Sequence, residues 1–431
     1  MYISTIKKVL LFGLALLLSV KLFSQSQTGY TRILDKFIKT VEVHNPNDPF
    51  APATLTLNNS QSQLNVSFDD LRGSIMRYAY TAIHCNNDWT PSRLWPNEYF
   101  SGLTEDRINN SKSSFSTRLA YTHYTFQFPG TSMQFTRSGN YLLKVYEDGR
   151  PDNVLFTYRI YVVETMASIN GTVKKSSSVE QRDKSQEVDF KVSTASYLID
   201  PRSNVKVTIL QNGREDNAIS GLKPKQIMGS VLDYDYDTGE NSFEAGNEFR
   251  RFNTSSVRNA MDHVSSIVVT GDTCNALIVP DKTRAFGNYI SEKDVNGNFI
   301  PNTIDYQNTD TEGEYVKVKF FLGLTMPIAH GKLVVSGRFN HQVDFAQGSE
   351  FLMHYNPALK GYIGEGLLKQ GYYDYQYLYY PEPQKPGLTS LAEGDFSDTQ
   401  NEYQIFVYYH KPGEVYDRLI GVGIINKTTG N

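Results

Sequence analysis

The densest set of potential ligands in this sequence is Asp233-Tyr234-Asp235-Tyr236-Asp237, three carboxylates two residues apart, with Glu244 twelfth counting from Asp233. That spacing resembles a loop whose hard oxygen ligands converge on calcium. The glycine such a loop needs for its sharp turn is Gly239, one place late. Asp294, Asn296 and Asn298, followed by Asp305, repeat the pattern loosely. Solvated acidic turns produce the same spacing. We read both segments as turns, and expect neither a metal nor any cofactor.

Nucleophile and phosphate chemistry finds no foothold. The chain lacks G-x-S-x-G, H-E-x-x-H, C-x-x-C and G-x-x-x-x-G-K-[ST]. Its eight histidines are scattered, and His84 and His123 each stand in an alternating segment, where a hydrogen-bonded structural role is expected. No catalytic residue and no enzyme activity are expected. The Tyr372–Tyr380 run carries tyrosines in both registers. Exposed rings of that kind stack on sugar faces, which makes a carbohydrate-binding or adhesin-like secreted β-sandwich protein the alternative reading. Core or partner packing is the preferred use of these rings.

The elements that would position these residues are strands. Leu64, Val66 and Phe68 share one face, as do Met76, Tyr78, Tyr80 and Ala82, then Tyr124, Phe126 and Phe128, and Tyr141, Leu143 and Val145. Period-two alternation broken by Gly, Pro, Asn and Asp predicts an all-β chain of tandem immunoglobulin-like β-sandwich domains. The 29 Tyr and 24 Phe agree, because aromatics suit the half-buried face of a sheet. Gly139-x-Tyr141 resembles a tyrosine corner, in which a hydroxyl ties a strand to a nearby loop, and Gly371-x-Tyr373 echoes it. Asn212-Gly213 is a hairpin turn signal. A polar boundary is expected over Met166–Gln186, since Lys174–Ser178 lacks a core pattern, and a helical turn or two over Ser255–His263. The resulting division is 25–165, 166–300 and 301–431, with 166–431 as one unit left open. Cys85 and Cys274 could form one bridge, but a buried free Cys85 is preferred.

The N-terminus sets the compartment. Lys7 and Lys8 precede an apolar stretch, Val9–Val20, too short to span a bilayer. Residues 1–24 therefore read as a signal peptide, cut after Ser24. Without its three lysines the chain carries a net charge near −7, from −4 for the whole sequence. Scattered, mildly acidic charge offers no footprint for nucleic acid. No later run is apolar and long enough to insert in a membrane.

Several ordered blocks are more specific than composition. They are His84-Cys85-Asn86-Asn87-Asp88-Trp89-Thr90-Pro91-Ser92 with Pro96–Tyr99, Tyr121–Tyr124, Ser138–Gly149, Glu393–Phe396, Asn401–Tyr403 and Tyr408–Gly421. Together they resemble the plug protein family of the bacterial type IX secretion system. The resemblance implies a periplasmic, non-enzymatic protein, peripheral to the outer membrane. It would bind a large outer-membrane translocon β-barrel protein and seal its periplasmic opening. For that partner, Trp89, Trp95 and Tyr99 are the expected interface, in a loop from Asn86 to Phe100 stiffened by Pro91 and Pro96.

Overall fold

A computed structural model describes residues 29–340, 345–346, 348–382 and 385–427. The expected signal segment 1–24 lies outside them. The chain is 49% strand and 3% helix, as the alternation requires.

Three groups of sheets each enclose a core. In the first lobe one sheet runs Arg32–Ile33, Arg150–Val163, Gly139–Glu147, Tyr78–Cys85, Glu105–Ile108, with Thr54–Thr56 parallel to Arg150–Val163. It faces a second sheet, Ile38–His44, Leu64–Asp70, Thr122–Phe128, Asn110–Ser113. Alternating side chains from both, including Val66, Phe68, Tyr80, Tyr124, Leu143 and Ile160, fill the space between. This is the expected sandwich.

The second lobe pairs Val205–Gln211 with Glu402–Tyr409 along seven residues, so residues nearly 200 positions apart share one sheet. Its other sheet contains Ala167–Lys175, Ser185–Thr194, Val231–Asp233 and Gln226–Met228. Val188, Phe190, Val207, Tyr403 and Ile405 lie in the core between them. The third lobe is a ten-stranded sheet drawn from 250–380. It curls until Phe252 at one end packs 5.7 Å from Phe320. Grouped by sheets and cores, residues 166–245 therefore go with 401–427, and 246–400 stand together. No sheet boundary falls at residue 300.

Three local expectations meet different outcomes. Most of the expected boundary Met166–Gln186 is a hairpin, not a linker: Ala167–Lys175 pairs with Ser185–Thr194, and of the polar stretch Lys174–Ser178 only Ser176–Ser178 lie in the connecting loop. The apolar face of Ala167–Lys175 lies against Gly421 and Gly423, where a Cβ would approach Ala167 and Ile169 to 3.1 and 2.9 Å. No helix forms over Ser255–His263. There Asn253 and Ser256 side chains accept the backbone N–H groups of Ser255, Arg258 and Asn259, bonds that compete with a helical turn. The Asn212-Gly213 turn does form, with φ of 51° and 69° and Arg214 N–H donating to Gln211 O at 2.9 Å. It opens into a longer loop before Ile219–Leu222. Single helical turns at Pro96–Tyr99, Pro201–Asn204 and Thr309–Glu312 carry no periodicity to read.

Both G-x-Y motifs build the same device. Tyr141 Oη donates to Arg137 O at 2.8 Å, and Tyr373 Oη to Lys369 O at 2.6 Å, each four residues upstream. Gly139 is required by its φ of 142° and by His84 Nε2, which a Cβ would meet at 2.6 Å. Gly371 is required by Ile300 O, 2.4 Å from where its Cβ would stand. Removing either hydroxyl loses one hydrogen bond, and at Tyr373 it also strands the carbonyl of buried Lys369, so Tyr141→Phe should cost about 0.5–1.5 kcal/mol and Tyr373→Phe about 1–2 kcal/mol in urea unfolding. Tyr234 is the control: its buried hydroxyl meets no protein partner. Tyr234→Phe should be neutral or slightly stabilising. Equal losses at all three positions would show that ring packing, not the corner bond, is being measured.

Candidate functional site

Three of the blocks that stand out in the sequence, 84–92, 138–149 and 408–421, converge in space. Tyr408 Oη donates to Asn140 Oδ1 at 2.7 Å, and Asn140 Nδ2 donates to Asn86 O at 3.0 Å. The Asn87 N–H donates to Asp417 Oδ2 at 3.1 Å, while Asp417 Oδ1 lies 2.9 Å from His410 Nδ1. Trp89, Tyr161, Phe406 and Leu419 make the apolar layer beneath these bonds. Arg159 stacks over Trp89 at 4.3 Å and pairs with Glu215 at 3.2 Å. Segments near residues 86, 140 and 410 thus form one joint between the first and second lobes.

A second joint ties the first lobe to the third. Asp69, fully buried, accepts Lys369 Nζ at 2.8 Å and Tyr315 Oη at 2.7 Å through one oxygen, and lies 2.7 Å from His123 Nδ1 through the other. Lys369 also donates to Asp310 O at 2.9 Å and sits over the Tyr121 ring. Tyr121 Oη donates to Gly313 O at 3.0 Å. A buried ion pair is tolerable only when its remaining donors and acceptors are satisfied, and here they are. Arg338 holds the point where all three lobes meet. It donates to Phe50 O at 3.1 Å and Asn212 O at 3.3 Å, and lies 3.6 Å from Glu402.

The expected interface residues separate. Trp89, 8% exposed, and Tyr99, 4% exposed, are buried within the chain, and Tyr99 Oη donates to Ala82 O at 3.2 Å. Trp95 is 74% exposed. It precedes the turn Pro96–Tyr99, and its N–H donates to Glu98 Oε2 at 2.7 Å. Tyr416 packs edge-on to His84, whose ring Tyr99 also meets, so the loop carrying exposed Val415 borders this turn.

The acidic motifs are used as turns. Asp233 accepts the Asp235 N–H at 3.0 Å, and its loop faces lysines: Lys225 is 2.6 Å from Asp237 and Lys174 is 3.6 Å from Asp235. Asp294 accepts the Phe249 N–H at 2.6 Å, and Asp305 the Val257 N–H at 2.7 Å. Among the described residues no three His, Cys, Asp or Glu side chains converge as metal ligands. Tyr373, Tyr375, Tyr377 and Tyr380 are buried in the third lobe, which removes most of the proposed sugar platform. His84 and His123 are buried and bonded to Ser138 O and Asp69. Cys85 and Cys274 are free and buried. The residues that sequence reasoning missed are Asp69, Lys369, Tyr315 and Arg338. The bonds joining Asp69 to Lys369 and Tyr315, and Arg338 to Phe50 and Asn212, span 126 to 300 positions, and no local pattern marks them.

Burial leaves a pH signature. It pushes the Glu42, Glu248 and Asp374 carboxyls up to about 7. Each binds its proton more tightly folded than unfolded, so its stabilisation is complete below the ordinary carboxylate range and is lost as pH rises to 7. Burial pushes His84 down to about 4. Its contribution is complete above pH 6.5 and is lost as pH falls toward 4, opposing the carboxyls only below 6.5. Calorimetry should therefore show a lower Tm at pH 8 than at pH 6.5. Glu248→Gln and Asp374→Asn should flatten that difference.

The sheets and joints define a three-lobed β protein whose distant segments are locked by buried polar bonds, the build of a structural component. The family model for the first domain of the type 9 secretion system plug protein matches residues 38–164. The chain belongs to the type 9 secretion system plug family, and so is a secretion-associated component of the cell envelope. A hypothetical protein from Parabacteroides merdae ATCC 43184, with a crystal structure at 2.30 Å resolution, is 34% identical, with a TM-score of 0.88 over 93% of this chain and 100% of that one. No functionally curated protein matches the chain. Among the described residues no helix is long and apolar enough to cross a membrane.

Proposed function

We propose that this chain, exported and freed of residues 1–24, binds the periplasmic side of a large outer-membrane translocon barrel and seals it without catalysis. The plug-family match carries the reading. The joints support it, because a stopper works by shape and must not flex open. A wide barrel encloses an aqueous lumen, so a leak-proof state needs such a body. Trp95 is the docking anchor, with Trp89 and Tyr99 fixing its loop from inside. Aromatic anchors of this kind carry much of the energy of a specific interface. We also propose that 166–245 with 401–427, and 246–400, are the two units that follow the first sandwich.

Tagged protein should recover a large barrel protein from detergent-solubilised envelope, identified by mass spectrometry. Trp95→Ala should cut that recovery about ten-fold or more. Gene deletion should admit large antibiotics only while the translocon is present. If no barrel co-purifies and permeability is unchanged, the reading fails.

A further inference from the structure

The turn at the base of the docking loop is strained. Trp89 has a φ of 64°, in the left-handed region that a bulky side chain disfavours and that persists only where its surroundings over-determine it. Within the turn, Trp89 N–H donates to Asn86 O at 3.0 Å and Asn86 N–H to Thr90 O at 2.9 Å. Pro91 then bridges Cys85, and Ser92 N–H donates to His84 O at 2.9 Å, which ties the turn to the stretch leading to Trp95.

The other holds on this turn lead to the second lobe. Asp417 Oδ2 accepts the Asn87 N–H at 3.1 Å, and Lys206 Nζ donates to Asn87 Oδ1 at 3.3 Å. Asn140, which donates to Asn86 O, is itself bonded by Tyr408. Arg159, stacked on Trp89, is paired with Glu215. Asp417 is 6% exposed, and its other oxygen lies 2.9 Å from His410 Nδ1 on its own loop. The adjacent Tyr416 ring meets His84 at 5.3 Å, and His84 meets Tyr99, which ends the turn after Trp95, at 5.8 Å. The second-lobe loop 410–418 thus bears on the docking loop near both of its ends.

We propose that Asp417 is a positioning residue for docking. By holding Asn87 it keeps the loop 86–100 in the arrangement that presents Trp95, so the second lobe, and not the first sandwich by itself, sets affinity for the barrel. This rests on the docking reading above. A loop ordered beforehand loses less entropy on binding. A competent loop populated about one time in ten binds about ten-fold more weakly.

Asp417→Ala in the full mature chain should therefore cut barrel recovery about ten-fold. Asp417→Asn keeps an acceptor oxygen for the Asn87 N–H. It should stay within about three-fold of the unmodified chain, a neutral bond replacing a charge-assisted one. Hydrogen exchange read by mass spectrometry separates positioning from general instability. Segment 92–99 should exchange about ten-fold faster in Asp417→Ala, with the core strand Leu64–Asp70 unchanged. If Asp417→Ala fails to fold, Lys206→Met decides, because it removes the other second-lobe bond to Asn87. It should quicken exchange in 92–99 and lower recovery about three-fold. Trp95→Ala, run alongside, tells the two readings apart. Recovery lowered by Trp95→Ala but by neither Asp417→Ala nor Lys206→Met overturns the positioning role and leaves docking standing. Equal acceleration in 92–99 and Leu64–Asp70, or equal losses in Asp417→Asn and Asp417→Ala, also overturns it. Recovery that Trp95→Ala leaves unchanged overturns both.

Discussion

Lys369→Met should destabilise the protein by about 3–5 kcal/mol, the usual cost of breaking one partner out of a buried ion pair. Lys369 is 2% exposed and Asp69 is fully buried. Removing the ammonium leaves Asp69 with only Tyr315 and His123, and leaves Asp310 O without its donor. The change acts where the first lobe meets the third, so the fault should open the joint before it melts either core. Urea unfolding measures the loss, and limited proteolysis between the lobes locates it. The double variant Asp69→Asn with Lys369→Met should lose less than the two single changes summed, because no buried charge is then left unpaired. A loss below about 1 kcal/mol for Lys369→Met would mean that water already enters the joint.

Glu393→Ala should be as costly, about 3–5 kcal/mol, for the converse reason. The fully buried Glu393 carboxylate accepts Arg250 Nε at 3.1 Å, Arg284 Nη2 at 2.6 Å and the Tyr377 N–H at 2.8 Å. Arg250 continues to Asp281, which accepts both Tyr375 Oη and Tyr377 Oη at 2.7 Å. Deleting the carboxylate strips two guanidinium groups of their main acceptor and loosens the core strand Gly371–Tyr380. Burial alone would raise the Glu393 carboxyl, but Arg250 and Arg284 hold it below its ordinary value. Its stabilisation is therefore present above the usual carboxylate range and lost as pH falls through the depressed pKa. In urea unfolding the gap between Glu393→Ala and the unmodified protein should narrow at acid pH. A gap independent of pH would assign the loss to packing.

These two sites show how the blocks of the sequence were legible without their purpose being so. Glu393–Phe396, Asn401–Tyr403 and Tyr408–Gly421 stand out as strings, yet nothing in them names Arg250, Gln186 or Asn140 as partners. Those bonds span 143, 215 and 268 positions. Tyr141 was read correctly because its partner carbonyl is four residues away. Trp89, Trp95 and Tyr99 looked alike in sequence, three aromatics in one proline-stiffened loop. Only the fold puts two of them inside and one out.

The sequence by itself determined the β class, because side chains alternate at period two wherever one face of a strand must be buried. It also determined the tyrosine corners and the Asn212-Gly213 turn, whose geometry is set by neighbours in the chain. The tertiary structure decided the rest. Whether the carboxylates at 233–237 and 294 hold metal ligands or close turns depends on the lysines and backbone N–H groups brought beside them. Whether a tyrosine run serves a ligand or a core depends on what covers the strand. Which lobe the last strands join is fixed by pairing across nearly 200 residues. Such contacts depend on the fold closing as a whole, and no local pattern of residue types encodes their partners.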